Sequence, residues 1–137
     1  MSVPSPARVS EEAKTVRYVR LIVDDKGETH FRDEELEMTE ADYRPPAPLL
    51  FVSHAHESSA IQFVRLPAGW IGESFTVPSK QLLICVAGKL DVTVSDGESR
   101  TFRIGDVVQM EDTHGKGHTT RIEASQDCIA AVAPILD

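Results

Sequence analysis

From Leu49 to the end of the chain the apolar residues fall in nine short runs, LLFVS, IQFVRL, ESFTV, KQLLICV, KLDVTVS, SRTFRI, DVVQME, TRIEA and CIAAVAPIL, none of helical length. Turn signals part them: PAGW, Pro78-Ser79, Ala87-Gly88, Asp96-Gly97-Glu98, Gly105-Asp106 and the loop DTHGKGH. Short strands at such regular spacing predict an antiparallel sandwich or barrel. The most explicit hairpin is KLDVTVSDGESRTFRI, where Leu90, Val92 and Val94 alternate with polar residues before an Asp-Gly turn. With 41% apolar residues in a chain of 137, there is material for one core and no room for a second substantial domain.

Ahead of this region the sequence divides in two. Residues 1–15, with Pro4 and Pro6, read as a flexible leader, and residues 16–48 as N-terminal strands of an acidic extension to a barrel over 49–137. VRYVRLIV, the turn Asp24-Asp25-Lys26-Gly27 and ETHF form a hairpin expected to pair onto the main sheet. RDEELEMTEADY fits either a short helix or a strand alternating at Leu36 and Met38, and Pro45-Pro46-Ala47-Pro48 closes it.

The net charge of −8 opposes binding to nucleic acid or to an anionic membrane. Most of it comes from residues 24–42, where nine acids face only Lys26 and Arg32. This reads first as a solvated face and second as a docking surface for a basic partner. DDKGETHFRDEE lacks the ligand alternation and central glycine of a calcium loop. No apolar run has signal-peptide or membrane-spanning length, so a cytoplasmic location is the expectation. Cys85 and Cys128 each lie inside an apolar run, as small core residues in a reducing compartment do.

Two motifs between about Ile61 and Pro134 resemble those of the small single-domain cupins of the RmlC-like type. The resemblance implies an all-β fold, a double-stranded β-helix or jelly-roll barrel, here with an N-terminal extension. In that family the first motif runs Gly, five residues, His-x-His, three or four residues, Glu, six residues, Gly. Gly69 and Gly88 stand at its ends, but Phe75 and Val77 occupy the His-x-His positions and Gln81 the Glu position; the longer spacing would place Ser74 and Thr76 instead. The second motif resembles RIGDVVQMEDTHGKGH with a two-residue insertion, Glu111 in place of proline and Ile122 in place of asparagine. Of four customary metal ligands only His118 remains, with Gln81 a neutral oxygen donor. No cofactor is therefore expected, and a divalent metal only through a non-standard set of His54, His56 and His118.

Transfer from the motif places Phe75, Val77, Gln81 and His118 around a mostly apolar pocket, with Leu83 and Cys85 deeper along the Gln81 face. Trp70 follows a turn glycine and either covers the mouth or plugs the core. His114 and Lys116, in the glycine-rich loop, would present a cation and backbone amides to an anion. His118 either hydrogen-bonds within the barrel or moves a proton beside a carbonyl, as metal-independent isomerases and epimerases of the wider class do. Three functions stay open: a metal-free barrel that binds, and isomerises, a small apolar or carbonyl-bearing molecule; a metal-dependent dioxygenase or lyase; and a non-catalytic sensor or interaction module. The resemblance also implies a homodimer, with the N-terminal strands covering an open sheet edge.

Overall fold

Alternation at Leu90, Val92 and Val94 places one face of a strand in the core, and all three are at most 2% exposed. The structure, a computed structural model, describes residues 9–10, 15–41 and 48–137. Among these residues there is no helix, and the order is β1 (Val9–Ser10), β2 (Thr15–Val23), β3 (Thr29–Glu37), β4 (Thr39–Ala41), β5 (Leu50–Val52), β6 (Gln62–Leu66), β7 (Ile71–Phe75), β8 (Gln81–Ala87), β9 (Lys89–Val94), β10 (Ser99–Arg103), β11 (Val107–Met110), β12 (His118–Arg121) and β13 (Cys128–Pro134).

Strands β6 to β13 form two antiparallel sheets. One has the order β11-β8-β13-β6 and the other β10-β9-β12-β7. Successive strands exchange sheets at every connection except the β9–β10 hairpin, which is the winding of an eight-stranded jelly roll. The inner faces meet in a core that includes Leu83, Leu90, Val92, Phe102, Val108 and Met110. Each large side chain there contributes roughly 1.5–3 kcal/mol by leaving water.

The extension joins this barrel through backbone. β2 and β3 pair over nine residues, and β2 then runs parallel to β11, with Val19 opposite Val108 and Leu21 opposite Met110. This covers the β11 edge of the first sheet. Leu21 is fully buried, while Arg20 faces the other way and holds Glu111 with two hydrogen bonds of 2.7 and 2.9 Å. Glu111, at the position of a motif proline, thus ties the extension to the barrel. RDEELE is strand, because Leu36 and Met38 recur at the period of two that a sheet uses and no helical stripe accompanies them. The acids of this region take intramolecular cations: Glu34 pairs with Arg20, Glu35 with Arg17, Asp33 with Arg100 and Glu28 with Lys116. The leader at 1–8 and 11–14 and most of the proline closure at 42–47 lie outside the described residues.

Two strands differ from their sequence reading. β7 begins at Ile71 and ends before Thr76, since the Val77 amide leaves the ladder to donate to the Asp112 carbonyl at 3.1 Å. β12 begins at His118 and ends at Arg121, and the Ile122 amide donates to the Trp70 carbonyl at 2.9 Å.

His30 fastens the β2–β3 turn to the β9–β10 turn, with Nε2 2.8 Å from Asp24 and Nδ1 2.7 Å from Asp96. Hydrogen bonds to Asp24 and then Asp96 raise the His30 pKa from 6.5. The bond from His30, followed by those from the Lys26 and Glu28 amides, lowers Asp24 to about 2. A raised histidine stabilises fully below its unfolded pKa and stops doing so as pH rises through the folded one; a lowered carboxylate stabilises above 3.8 and stops as pH falls towards about 2. The stability difference between wild type and His30→Ala in urea unfolding is therefore expected to be largest between pH 3.8 and 6.5 and to shrink above that window. A difference that stays constant from mildly acid to alkaline pH would contradict this.

Candidate functional site

The parity of β8 sends Gln81 and Leu83 to the inside of the barrel, and that of β12 sends His118 and Thr120 towards them. Between the sheets they border a cavity of about 230 Å³, with Leu83, Leu90 and Met110 among its apolar walls and Trp70, Phe75 and Val77 at one side. A larger depression of about 810 Å³ lies between the N-terminal hairpin and β10. Both of its cations are already held, Arg100 by Asp33 at 2.7 Å and Glu98 at 2.8 Å and Arg17 by Glu35 at 3.7 Å, whereas the smaller cavity is bordered by a histidine with a ring nitrogen that has no partner among the described residues.

That imidazole belongs to His118, whose side chain is 1% exposed. Its Nδ1 lies 2.6 Å from Oδ2 of Asp112, a carboxylate with no exposed surface. An ionised carboxylate only accepts, so with Asp112 ionised Nδ1 carries the proton of this bond and Nε2 is the ring nitrogen left over. Nε2 is buried and has no hydrogen-bond partner among the described residues, and the same holds for Oδ1 of Asp112. Buried polar atoms normally find partners, so two orphans in one pair mark a site prepared for something else. Asp112 was absent from the sequence reading. The available signal was a carboxylate ending an apolar strand, six residues before the histidine.

Aromatic rings cover the imidazole. The Phe75 ring centroid is 4.5 Å from that of His118, and Trp70 meets Phe75 edge to face at 6.2 Å. A bulge produces this contact. Arg121 and Thr120 pair with Ile71 and Gly72, and an unbroken ladder would bring Ser74 opposite His118, yet Phe75 is there. The extra residue is Ser74, with φ at 45° and its amide donating to Thr119 Oγ1 at 3.1 Å. Gly72 makes room for both rings: a Cβ there would lie 2.4 Å from Trp70 and 2.9 Å from Phe75. Trp70 thus lines the cavity and also packs on the core.

Phe75, Val77, Gln81, Leu83, Trp70 and His118 all border the cavity. The other site residues named from sequence do not. Cys85 is two residues beyond Leu83, about 7 Å further along the strand, and sits in the closed core with Cys128. Burial, then the neighbouring Cys128, pushes its thiol up to about 12, which removes it as a nucleophile near neutrality. His114 and Lys116 are exposed, because their loop docks on the N-terminal hairpin: the Lys116 amide donates to the Gly27 carbonyl at 2.8 Å and its ammonium pairs with Glu28. His54 and His56 converge with Asp137 rather than with His118.

The donor set in the barrel does not fit the metal that the cupin motif ordinarily carries. Two of its positions, Phe75 and Val77, offer only carbon, and His118 commits one nitrogen to Asp112. What remains is one imidazole nitrogen and the Gln81 amide, short of the three protein ligands of a catalytic ion.

No family model and no curated protein matches the chain. Solved structures similar to it include the Cnp3 cupin domain of Schizosaccharomyces pombe, at 12% identity over 90% of this chain and 85% of that one, with a TM-score of 0.48. A Cupin 2 conserved barrel domain protein from Salinispora arenicola has 17% identity over 98% and 88%, with a TM-score of 0.44. An RmlC-like cupin protein from Desulfovibrio desulfuricans has 10% identity over 94% and 90%, with a TM-score of 0.40. With TM-scores under 0.5 these likenesses bear no weight, and the fold rests on its own strand order. Eight strands wound between two antiparallel sheets, with positive-φ glycines at 69, 88 and 105 turning the chain between them, give this chain a jelly-roll fold, the architecture that its resemblance to the cupins implies.

Proposed function

We propose that the barrel binds a small, mostly apolar carbonyl compound and moves a proton at the carbon beside its carbonyl, as an isomerase or epimerase without a metal. The observation that carries this reading is the buried His118–Asp112 pair, in which His118 borders the cavity and its Nε2 has no hydrogen-bond partner among the described residues. The Nε2 lone pair takes the proton and becomes N–H; the electrons of the broken C–H bond move into the enolate. The same N–H then delivers the proton to a second carbon of the conjugated enolate, so the carbonyl re-forms with the double bond one place along; return to the first carbon from the same face gives back the substrate and is seen only as exchange. Asp112 keeps the ring in the productive tautomer and stabilises the imidazolium while it lasts. Gln81, which borders the same cavity, supplies an amide N–H for the enolate oxygen. A volume of about 230 Å³ lies below the roughly 300–1,000 Å³ typical of drug-sized pockets, so the substrate is small.

The test uses a panel of small ketones, aldehydes and 2-oxo acids in D₂O, with deuterium incorporation beside the carbonyl as readout. The wild-type protein is expected to accelerate exchange of at least one member, and His118→Asn to lose roughly 10²-fold or more of that acceleration. If no compound exchanges faster with wild type than with His118→Asn, the reading is wrong.

A further inference from the structure

Outside the barrel, two segments distant in sequence bring three metal-ligating side chains together. His54 and His56 lie in the non-helical stretch before β6, and Asp137 follows β13, the neighbour of β6 in the first sheet. One donor atom from each of the three falls within 4.8 Å of the others. We propose that His54, His56 and Asp137 bind one divalent transition-metal ion, with Zn²⁺ as the representative of the class. This rests on none of the chemistry assigned to His118.

One of the three separations is already close to what a shared ion requires. His56 Nδ1 lies 3.6 Å from Asp137 Oδ2, beyond the 2.7–3.2 Å of a nitrogen–oxygen hydrogen bond. Two ligands of a tetrahedral ion with bonds of about 2.0–2.1 Å are roughly 3.3 Å apart. Nδ1 is nevertheless buried, with no hydrogen-bond partner among the described residues. The His54 and His56 rings stand 4.4 Å apart at 64°, which keeps both near one point.

The carboxylate is aimed by its surroundings. The Glu57 amide donates to Asp137 Oδ1 at 3.2 Å, leaving Oδ2 towards His56. The Leu136 amide donates to the Glu57 carbonyl at 2.8 Å, and Lys80 Nζ to the Asp137 main-chain oxygen at 2.9 Å. Such outer contacts fix a ligand before the metal arrives. Two imidazoles and one carboxylate, without a thiolate, suit zinc, nickel, cobalt or copper and not calcium or magnesium, which want oxygen alone. Three protein ligands leave a position for water, and the ion would clip the approach to β6 onto the end of β13.

The experiment takes the full chain, free of any affinity tag and stripped with chelator, and titrates it with Zn²⁺ by calorimetry and with Co²⁺ by visible absorption. One ion per chain is expected, with a rise in thermal midpoint. His54→Ala, His56→Ala and Asp137→Asn are each expected to weaken binding ~10-fold or more and to abolish the thermal shift. His114→Ala, which removes an exposed histidine elsewhere, and His118→Ala, in the barrel, are expected to bind as wild type does. Failure of wild type to bind, binding that survives the first three substitutions, or binding lost in His118→Ala would each overturn the proposal.

Discussion

Gly88→Ala is expected to destabilise the domain by about 2–5 kcal/mol, the sum of a backbone term of roughly 1–2 and an overpacking term of roughly 1–3. Gly88 joins β8 to β9, where the chain leaves one sheet for the other, and does so at φ +71°. A Cβ there would stand 2.3 Å from the Asp127 carbonyl oxygen and 3.2 Å from the Cys128 Cα. Both are backbone at the start of β13, so no side chain can swing aside, and the Asp127 carboxylate is itself held to the Ala68 amide at 2.8 Å. Gly97→Ala is the control, since Gly97 also has positive φ, at +100°, but its Cβ would meet nothing within 4 Å. In urea unfolding the two variants separate the conformational cost from the clash. Equal destabilisation of both would show that the β8–β9 crossover yields, contrary to this argument. A loss of this size is a large part of the 5–15 kcal/mol that holds most domains folded.

The crossover also shows why the fold was legible. Glycines at 69, 88 and 105 are imposed by backbone geometry, so they mark strand exchanges even where three of the four ligand residues have been replaced. Period-two alternation did the same for β9, because only that period puts Leu90, Val92 and Val94 on one face. What stayed hidden were features set by tertiary pairing. The parallel ladder of β2 on β11 is made by backbone groups, and the side-chain lock beside it, Arg20 on Glu111, spans 91 positions that no local pattern connects. The RDEELE segment was ambiguous for a related reason: its charged residues satisfy a helix or a strand equally until β2 is beside them.

The site was half legible. Parity along a strand is a local property and accounts for Gln81 and His118 at the cavity; Phe75 and Val77 border it too, one through the bulge at Ser74 and the other beyond the end of β7. Cys85 shares the Gln81 face but lies beyond the residues that border the cavity, since parity fixes a face and not how far along it the cavity extends. His114 and Lys116 do not border it either, since a loop's direction depends on what it docks against. The bulge at Ser74 was equally invisible, although it alone decides that an aromatic ring rather than a hydroxyl covers the imidazole.

Asp112→Asn is expected to lower proton exchange by roughly 10²–10⁴-fold while the barrel stays folded. The substitution keeps the size of the side chain and exchanges an obligate acceptor for a group that also donates. With no other hydrogen-bond partner for Asp112 Oδ1 or His118 Nε2 among the described residues, the amide NH₂ is free to donate to Nδ1. The ring proton then moves to Nε2, and the lone pair at the cavity disappears. Asp112→Ala acts differently: it leaves a buried N–H without an acceptor, which costs about 1–3 kcal/mol of stability, whereas Asn preserves a bond at the 2.6 Å contact. Nitrogen-15 shifts of the His118 ring distinguish a positioning role from a structural one, because only the former predicts that the tautomer and the exchange rate change together. Exchange at the wild-type rate in an Asp112→Asn protein whose ring has switched tautomer would remove Nε2 as the base.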